Sequence, residues 1–136
     1  MLLVEDVKKI FNELLSKENG LFFLREYGIT IQAFDKSSKF SLSVPIYVGE
    51  NYIPESVRAG VKKILTLQKN QILKTTLSID EENFCVYLRY LGSTENFNSG
   101  QFIYVVEEFN YLADKWRIYL DDRDKNDLVY IHIKRS

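Results

Sequence analysis

The sequence predicts an α+β fold in which helices cover an antiparallel sheet. Apolar residues recur at every third or fourth position in three segments, which is the spacing of one helical face. Between these segments they alternate with polar residues, and the alternating runs come in adjacent groups joined by short polar turns. Strands that arrive as hairpins build antiparallel sheets. The expected order is α-β-β-β-α-β-β-α with an extra C-terminal strand.

The composition fits one soluble domain that spans residues 1–136. Apolar residues make up 46% of the 136 positions, enough for a core that needs no metal or disulfide. The formal net charge of −1 argues against a nucleic-acid partner. A single Cys, no signal-peptide pattern in residues 1–15 and no long apolar run predict a cytoplasmic protein without a membrane span.

The first helix is predicted before Asn19-Gly20, a pair that favours a left-handed helix stop. Its apolar face comprises Leu3, Val7, Ile10, Phe11, Leu14 and Leu15. This pattern is typical of a helix with one buried side.

Three strands are predicted next, at residues 21–24, 29–34 and 40–44, with a polar turn at residues 35–39. Pro45 has no N–H to donate to a ladder. The third strand is therefore expected to lie at a sheet edge there or to form a bulge.

A second helix is predicted after Pro54, a residue that suits the first helical turn. Val57, Val61, Ile64 and Leu65 form its apolar stripe. A glycine inside a helix costs about 0.8–1 kcal/mol relative to Ala, so Gly60 predicts a close contact on this helix. We expect a homodimer, with Val57, Gly60 and Ile64 at the dimer interface.

The last third of the chain predicts a long hairpin, a long helix and a final strand. Leu73 to Ile79 and Phe84 to Tyr90 alternate around a turn at residues 80–83. Asn98 or Ser99 is the expected N-cap of the third helix, which runs to Leu120. After a charged loop at residues 121–127, the β-rich residues 128–133 predict a strand that joins a sheet edge in the same chain or across a dimer.

The chain contains no recognisable catalytic or metal-binding pattern. His132 and Cys85 are the only residues of their types, and neither has a partner at suggestive spacing. The acidic residues between 121 and 127 lack the Gly and closing Glu of a calcium loop. We therefore predict no catalytic residue, no metal and no cofactor.

A protein partner is expected on surface apolar residues. Alternation places Tyr87 and Leu91 opposite the helices, and Phe34 shares a strand face with polar residues. Edge positions before Pro45 offer a template for an added strand. The predicted partner-binding residues are Leu2, Val4, Phe34, Tyr47, Tyr87 and Leu91.

The element order resembles the type III secretion chaperone-like superfamily, which includes class I secretion chaperones and YbjN-type proteins. "SVPIYVGENYIPESVRAGVKKILTLQKN" joins sheet to helix, and "ILKTTLSIDEENFCVYLRYLG" leads into the last helix. The resemblance covers roughly residues 3–121 and implies a small homodimer that holds an unfolded segment of a secreted effector. The near-neutral charge and the final strand depart from the family pattern.

Two other functions remain open at this point. One is a regulatory or structural adaptor of the same fold that binds a folded partner. The other is an enzyme, which would have to work with carboxylates or tyrosines alone.

Overall fold

The computed structural model describes residues 2–17, 19–68 and 73–135, with side chains for residues 4–17, 19–68 and 73–125. The fold is α+β, and the order of its elements through the third helix is as predicted. The elements are α1 (Leu2–Ser16), β1 (Leu21–Leu24), β2 (Ile29–Phe34), β3 (Lys39–Val48), α2 (Glu55–Leu67), β4 (Thr76–Asp80), β5 (Cys85–Ser93) and α3 (Ser99–Arg135).

The five strands form one antiparallel sheet in the order β1-β2-β3-β5-β4. β1, β2 and β3 follow each other as hairpins, and β4 and β5 form another hairpin. The two groups meet where β3 pairs with β5, from Lys39 opposite Ser93 to Val48 opposite Cys85. β3 therefore lies in the centre of the sheet.

The three helices pack on one side of the sheet, which we call the covered face. Every second residue of the central strands is buried there, including Ile31, Leu42 and Leu88. The largest buried side chains are aromatic and link the elements: the Phe40 ring lies 5.3 Å from that of Phe102, which lies 5.0 Å from that of Phe11. Ring pairs at these distances add to the burial energy of the core.

The helices begin and pack largely as their sequences predict. Leu14 of α1 and Ile64 of α2 are buried, whereas the neighbouring Leu15 and Leu65 are exposed. Asn98 is the N-cap of α3: its side-chain oxygen accepts from the Gln101 N–H at 2.8 Å, and its own N–H donates to the Gln101 side chain at 2.9 Å. This reciprocal pair is a capping box.

The prediction of a charged loop and a final strand is wrong. α3 continues through residues 121–127 and 128–133 and ends at Arg135, so it is 37 residues long. No Gly or Pro occurs between Gly100 and Ser136 to stop it. β-branched residues raise strand propensity only where a neighbouring strand is present, and here the backbone stays helical. Within the described residues, no helix is apolar enough over a sufficient length to cross a bilayer.

Pro45 lies at a β-bulge and also at a position where β3 has no partner in β2, so the expected bulge and the expected edge position are both found there. The register of β3 with β5 shifts between Pro45 and Tyr47. β2 pairs with β3 only as far as Thr30 opposite Ser43, so Pro45 lies beyond the end of β2. Its carbonyl oxygen accepts a hydrogen bond of 3.1 Å from Arg117 Nη2. The positions from Lys39 to Ser43 pair with strands on both sides, so the prediction that residues before Pro45 accept an added strand is wrong.

Candidate functional site

The side of the sheet opposite the helices, which we call the open face, carries a mixture of apolar and polar side chains. Alternation places them there because their neighbours along each strand are buried on the covered face. Its main residues are Leu21, Phe23, Thr30, Gln32, Phe34, Lys39, Ser41, Ser43, Tyr87, Arg89 and Leu91.

The strand register arranges these side chains in rows that cross the sheet. One row consists of Phe23, Thr30, Ser43, Arg89 and Thr76. The next row consists of Leu21, Gln32, Ser41 and Leu91. In the second row the apolar Leu21 and Leu91 lie at the ends and the polar Gln32 and Ser41 lie between them. In the first row the apolar Phe23 lies at the β1 end, and the β5 and β4 positions are the polar Arg89 and Thr76.

These rows form a trough, by which we mean the strip of Thr30, Gln32, Ser41 and Ser43 between two raised margins. Leu21 and Phe23 of β1 form one margin and are exposed. Leu91 of β5 is exposed on the other margin, and Tyr87 of the same strand is half-buried. Neighbouring strands lie about 4.8 Å apart, so β1 and β5 are about 14 Å apart, enough for an extended peptide or a helix of about 10 Å diameter.

The β5 margin is held in place by polar contacts. The Arg89 guanidinium lies 5.6 Å from the centre of the Tyr87 ring, and its Nε donates to Ser78 Oγ at 3.0 Å. Burial, and then the adjacent Cys85, raise the pKa of Tyr87 above its ordinary value. The Cys85 thiol is itself buried and lies 3.3 Å from the Asn83 carbonyl oxygen.

The structure brings together some of the predicted partner-binding residues and separates others. Phe34, Tyr87 and Leu91 lie on the open face. Val4 is half-buried on α1, which belongs to the covered side, and the side chain of Leu2 lies outside the described residues.

The placement of Tyr47 on an exposed partner surface is wrong. Tyr47 is buried, and its hydroxyl donates to Asp124 Oδ2 of α3 at 3.2 Å. The bulge after Pro45 interrupts simple alternation, so the residue's face does not follow from counting. Sequence reasoning also missed Leu21 and Phe23, although their spacing of two within the predicted short strand was a usable signal.

The residues predicted for a dimer interface are instead buried by contacts within the chain. Val57 and Ile64 are fully buried. A Cβ atom at Gly60 would lie 2.8 Å from both Arg123 Cδ and Leu120 Cδ2 of α3. The close approach predicted at Gly60 is therefore made by α3 of the same chain. A second subunit would reach these residues only if α3 moved away, and the dimer itself stays a prediction.

An apolar groove lies instead between the outer side of α2 and the edge strand β4. It has a volume of about 530 Å³, and Val61, Leu65, Leu77 and Ile79 contribute apolar lining. Arg58 also lines it and pairs with Glu81 through two hydrogen bonds of 2.9 and 2.7 Å. Because β4 is the last strand of the sheet among the described residues, one side of its backbone has no neighbouring strand there.

In the described part of the chain, no group of three or more His, Cys, Asp or Glu side chains is placed to hold a metal ion. The side chain of His132 lies outside that part. A comparison with protein-family models found no match, and neither did a comparison with curated proteins. The open face and the α2–β4 groove are therefore interpreted from their own geometry.

Proposed function

We propose that this protein is a non-enzymatic binding protein that holds a non-globular segment of another protein in the trough of the open face. The observation that carries this proposal is the polar strip between two margins that carry the exposed apolar residues Leu21, Phe23 and Leu91. An extended segment brings backbone N–H and C=O groups that need hydrogen-bond partners. The hydroxyls and amide of the strip offer such partners, while the margins bury the segment's apolar side chains.

The resemblance to secretion chaperones supports a more specific assignment. We propose a secreted effector as the partner, held through an unfolded segment before export. The trough suits this role because it combines a continuous polar strip with apolar walls, and a folded globular partner would not reach its floor easily.

We further propose that the chain is a homodimer that associates through the α2–β4 groove. Leu65 is exposed on α2 beside the edge strand, and the groove is lined by apolar side chains of both elements. A second copy would cover these residues and pair with or shield β4. This surface replaces the one predicted around Gly60.

The partner is tested by co-expressing the chain with the products of neighbouring genes, followed by capture and truncation of any retained partner. We expect retention through one non-globular segment. The double substitution Phe23→Ser and Leu91→Ser should reduce capture at least tenfold, because each removes an exposed anchor from one margin. Tyr52→Ser is the matched control, since Tyr52 is exposed outside the trough.

A partner retained only as an intact folded domain would support an adaptor instead and contradict the proposed chaperone role. Capture that is unchanged in the double variant would place the binding surface elsewhere.

The dimer is tested by sedimentation of a Leu65→Glu variant. Charge in an apolar interface is costly, so we expect a monomer that keeps its circular dichroism spectrum. The control is Lys63→Glu, an exposed position on α2 outside the groove lining. An unchanged dimer would exclude this groove as the interface.

A further inference from the structure

The side of α3 that faces away from the core carries a line of large apolar residues. Tyr104, Tyr111 and Ile118 follow each other at intervals of seven residues, and they are 52%, 62% and 63% exposed. A seven-residue interval is close to two helical turns, so the three side chains lie on one line. The buried Phe102, Phe109 and Trp116 have the same interval on the opposite side of the helix. We call the exposed line and its flanks the α3 outer face.

Carboxylates dominate the flanks of this line. They belong to Glu107, Glu108, Asp114, Asp121 and Asp122. Among the described residues, only Asp114 of this set has a salt-bridge partner, Arg117, at 2.7 Å. The α3 outer face therefore combines an apolar line with negative charge on both sides.

Two of the cationic side chains near this line contact other groups. The Lys115 ammonium lies 4.8 Å from the centre of the Trp116 ring. Arg117 donates to Asp114 and also to the Pro45 carbonyl oxygen of β3, so its guanidinium is drawn towards the sheet. Lys125 remains as an exposed cation at the far end of the line. Five carboxylates thus flank the line, against the exposed cations of Lys115 and Lys125, so the outer face carries an excess of negative charge.

We propose that the α3 outer face binds a basic amphipathic helix of a protein partner. From Tyr104 to Ile118 the line is about 21 Å long at 1.5 Å per residue, so about four turns of a partner helix would cover it. Apolar residues of that helix would pack between Tyr104, Tyr111 and Ile118. Lys or Arg residues beside them would face the carboxylates of α3. A second copy is disfavoured because it would place two acidic faces against each other.

This inference goes beyond the proposed function and does not depend on it. The trough lies on the opposite side of the sheet from α3, so both surfaces can be occupied at once. Loss of binding at one surface can be measured while the other is intact.

The test uses two fluorescein-labelled synthetic helical peptides of four turns, each with Leu at seven-residue intervals. One carries Lys on both flanks of the Leu line, and the other carries Glu at the same positions. Fluorescence anisotropy with the full chain should show binding of the Lys peptide and none of the Glu peptide. Affinity for the Lys peptide should fall as salt is added, because the attraction is partly electrostatic.

Tyr111→Ser should weaken the Lys peptide at least tenfold, because it removes the central anchor of the line. Glu107→Lys combined with Asp121→Lys should weaken it by a similar factor through charge. Both changes are at exposed positions, so the circular dichroism spectrum should not change. Tyr52→Ser, at an exposed tyrosine away from α3, should leave the affinity unaltered.

Three outcomes would overturn the proposal. The first is no detectable binding of the Lys peptide, and the second is equal affinity of the Tyr111→Ser variant. The third is a change of oligomeric state in the Tyr111→Ser variant by sedimentation, which would make a second copy the occupant.

Discussion

The two faces of the sheet are built by the same strands but differ in where they place their large and small side chains. On the covered face the central strand β3 carries Phe40 and Leu42, and both are fully buried. On the open face the same strand carries Ser41 and Ser43, while the exposed apolar Leu21, Phe23 and Leu91 lie on β1 and β5 and Phe34 lies at the end of β2. In a core the large side chains lie at the centre of the sheet, whereas in a docking trough small side chains lie at the centre and larger ones lie at the margins. The distribution of size across strands therefore distinguishes the two faces.

The sharpest test of this difference uses two leucines of β5. Leu88 is 0% exposed on the covered face, and Leu91 is 62% exposed on the open face. Leu88→Ala should lower the free energy of unfolding by about 2–5 kcal/mol, because it leaves a cavity. Leu91→Ala should change it by less than about 0.5 kcal/mol. Urea unfolding of both variants measures the difference, and equal losses would mean that the open face is covered.

The closure of the covered side can be tested where α2 meets α3. A methyl group at Gly60 would be 2.8 Å from Leu120 Cδ2 and Arg123 Cδ, and the Arg123 Nε is fixed by a hydrogen bond to the Ser56 carbonyl oxygen. We expect Gly60→Ala to destabilise by up to about 2 kcal/mol, because an overpacking cost of about 1–3 kcal/mol is offset in part by a helix-propensity gain of about 1 kcal/mol.

The same substitution would stabilise the protein if α3 did not approach α2 closely. Ala59→Gly is the control at the adjacent exposed position and should cost about 1 kcal/mol from propensity alone. Thermal unfolding of the two variants separates packing from propensity.

Tyr47 on the covered side makes the stability of the fold depend on pH. Burial, and then the Asp124 carboxylate, raise the pKa of Tyr47 from 10.0 to about 12. The folded state thus holds the phenol proton more tightly than the unfolded chain does. Its contribution to stability is full below pH 10 and is lost as the pH rises from 10 towards 12.

We expect Tyr47→Phe to cost about 1 kcal/mol at neutral pH, from the lost hydrogen bond to Asp124. The variant should also lose less stability than the parent between neutral and strongly alkaline pH. Unfolding in urea at a series of pH values measures both effects. Parallel curves for the two proteins would contradict the raised pKa.

The smallest change in the free energy of unfolding is expected for a substitution in the turn between β2 and β3, at the end of the sheet. Asp35, Lys36 and Ser37 have φ values of 55°, 57° and 66°, in the left-handed region that disfavours residues with a Cβ. Lys36→Gly should therefore raise the free energy of unfolding by roughly 0.5–1 kcal/mol. Lys36→Ala keeps the Cβ and should give no gain, so equal effects of the two variants would refute the strain.

Most of the fold could be predicted from the sequence because the periodicity of apolar residues matches the pattern of buried residues in the structure. Alternation in β2, β3 and β5 defines two faces, and the positions of Phe34, Tyr87 and Leu91 on the open face follow from that alternation. Asn98 identifies the start of α3, since its side chain satisfies the Gln101 N–H.

The misplaced residues depend on contacts that local patterns do not contain. Tyr47 follows a bulge, and its partner Asp124 lies on another element. Gly60 correctly indicated a close contact, but a residue type does not say which helix makes it. Residues 128–133 have strand-forming side chains, yet no turn separates them from α3 and the helix continues.

The pairing of β3 with β5 also bears on how the chain folds. The first three strands are joined by short turns and can pair soon after they meet, as can β4 with β5. The pairing of β3 with β5 joins segments that are separated in sequence by α2 and β4. Closing this long loop costs conformational entropy before the contacts between the two strands form. The slowest step in refolding should therefore be the joining of two preformed hairpin units, and substitutions at Val44 or Leu88 should slow refolding more than those within the first hairpin.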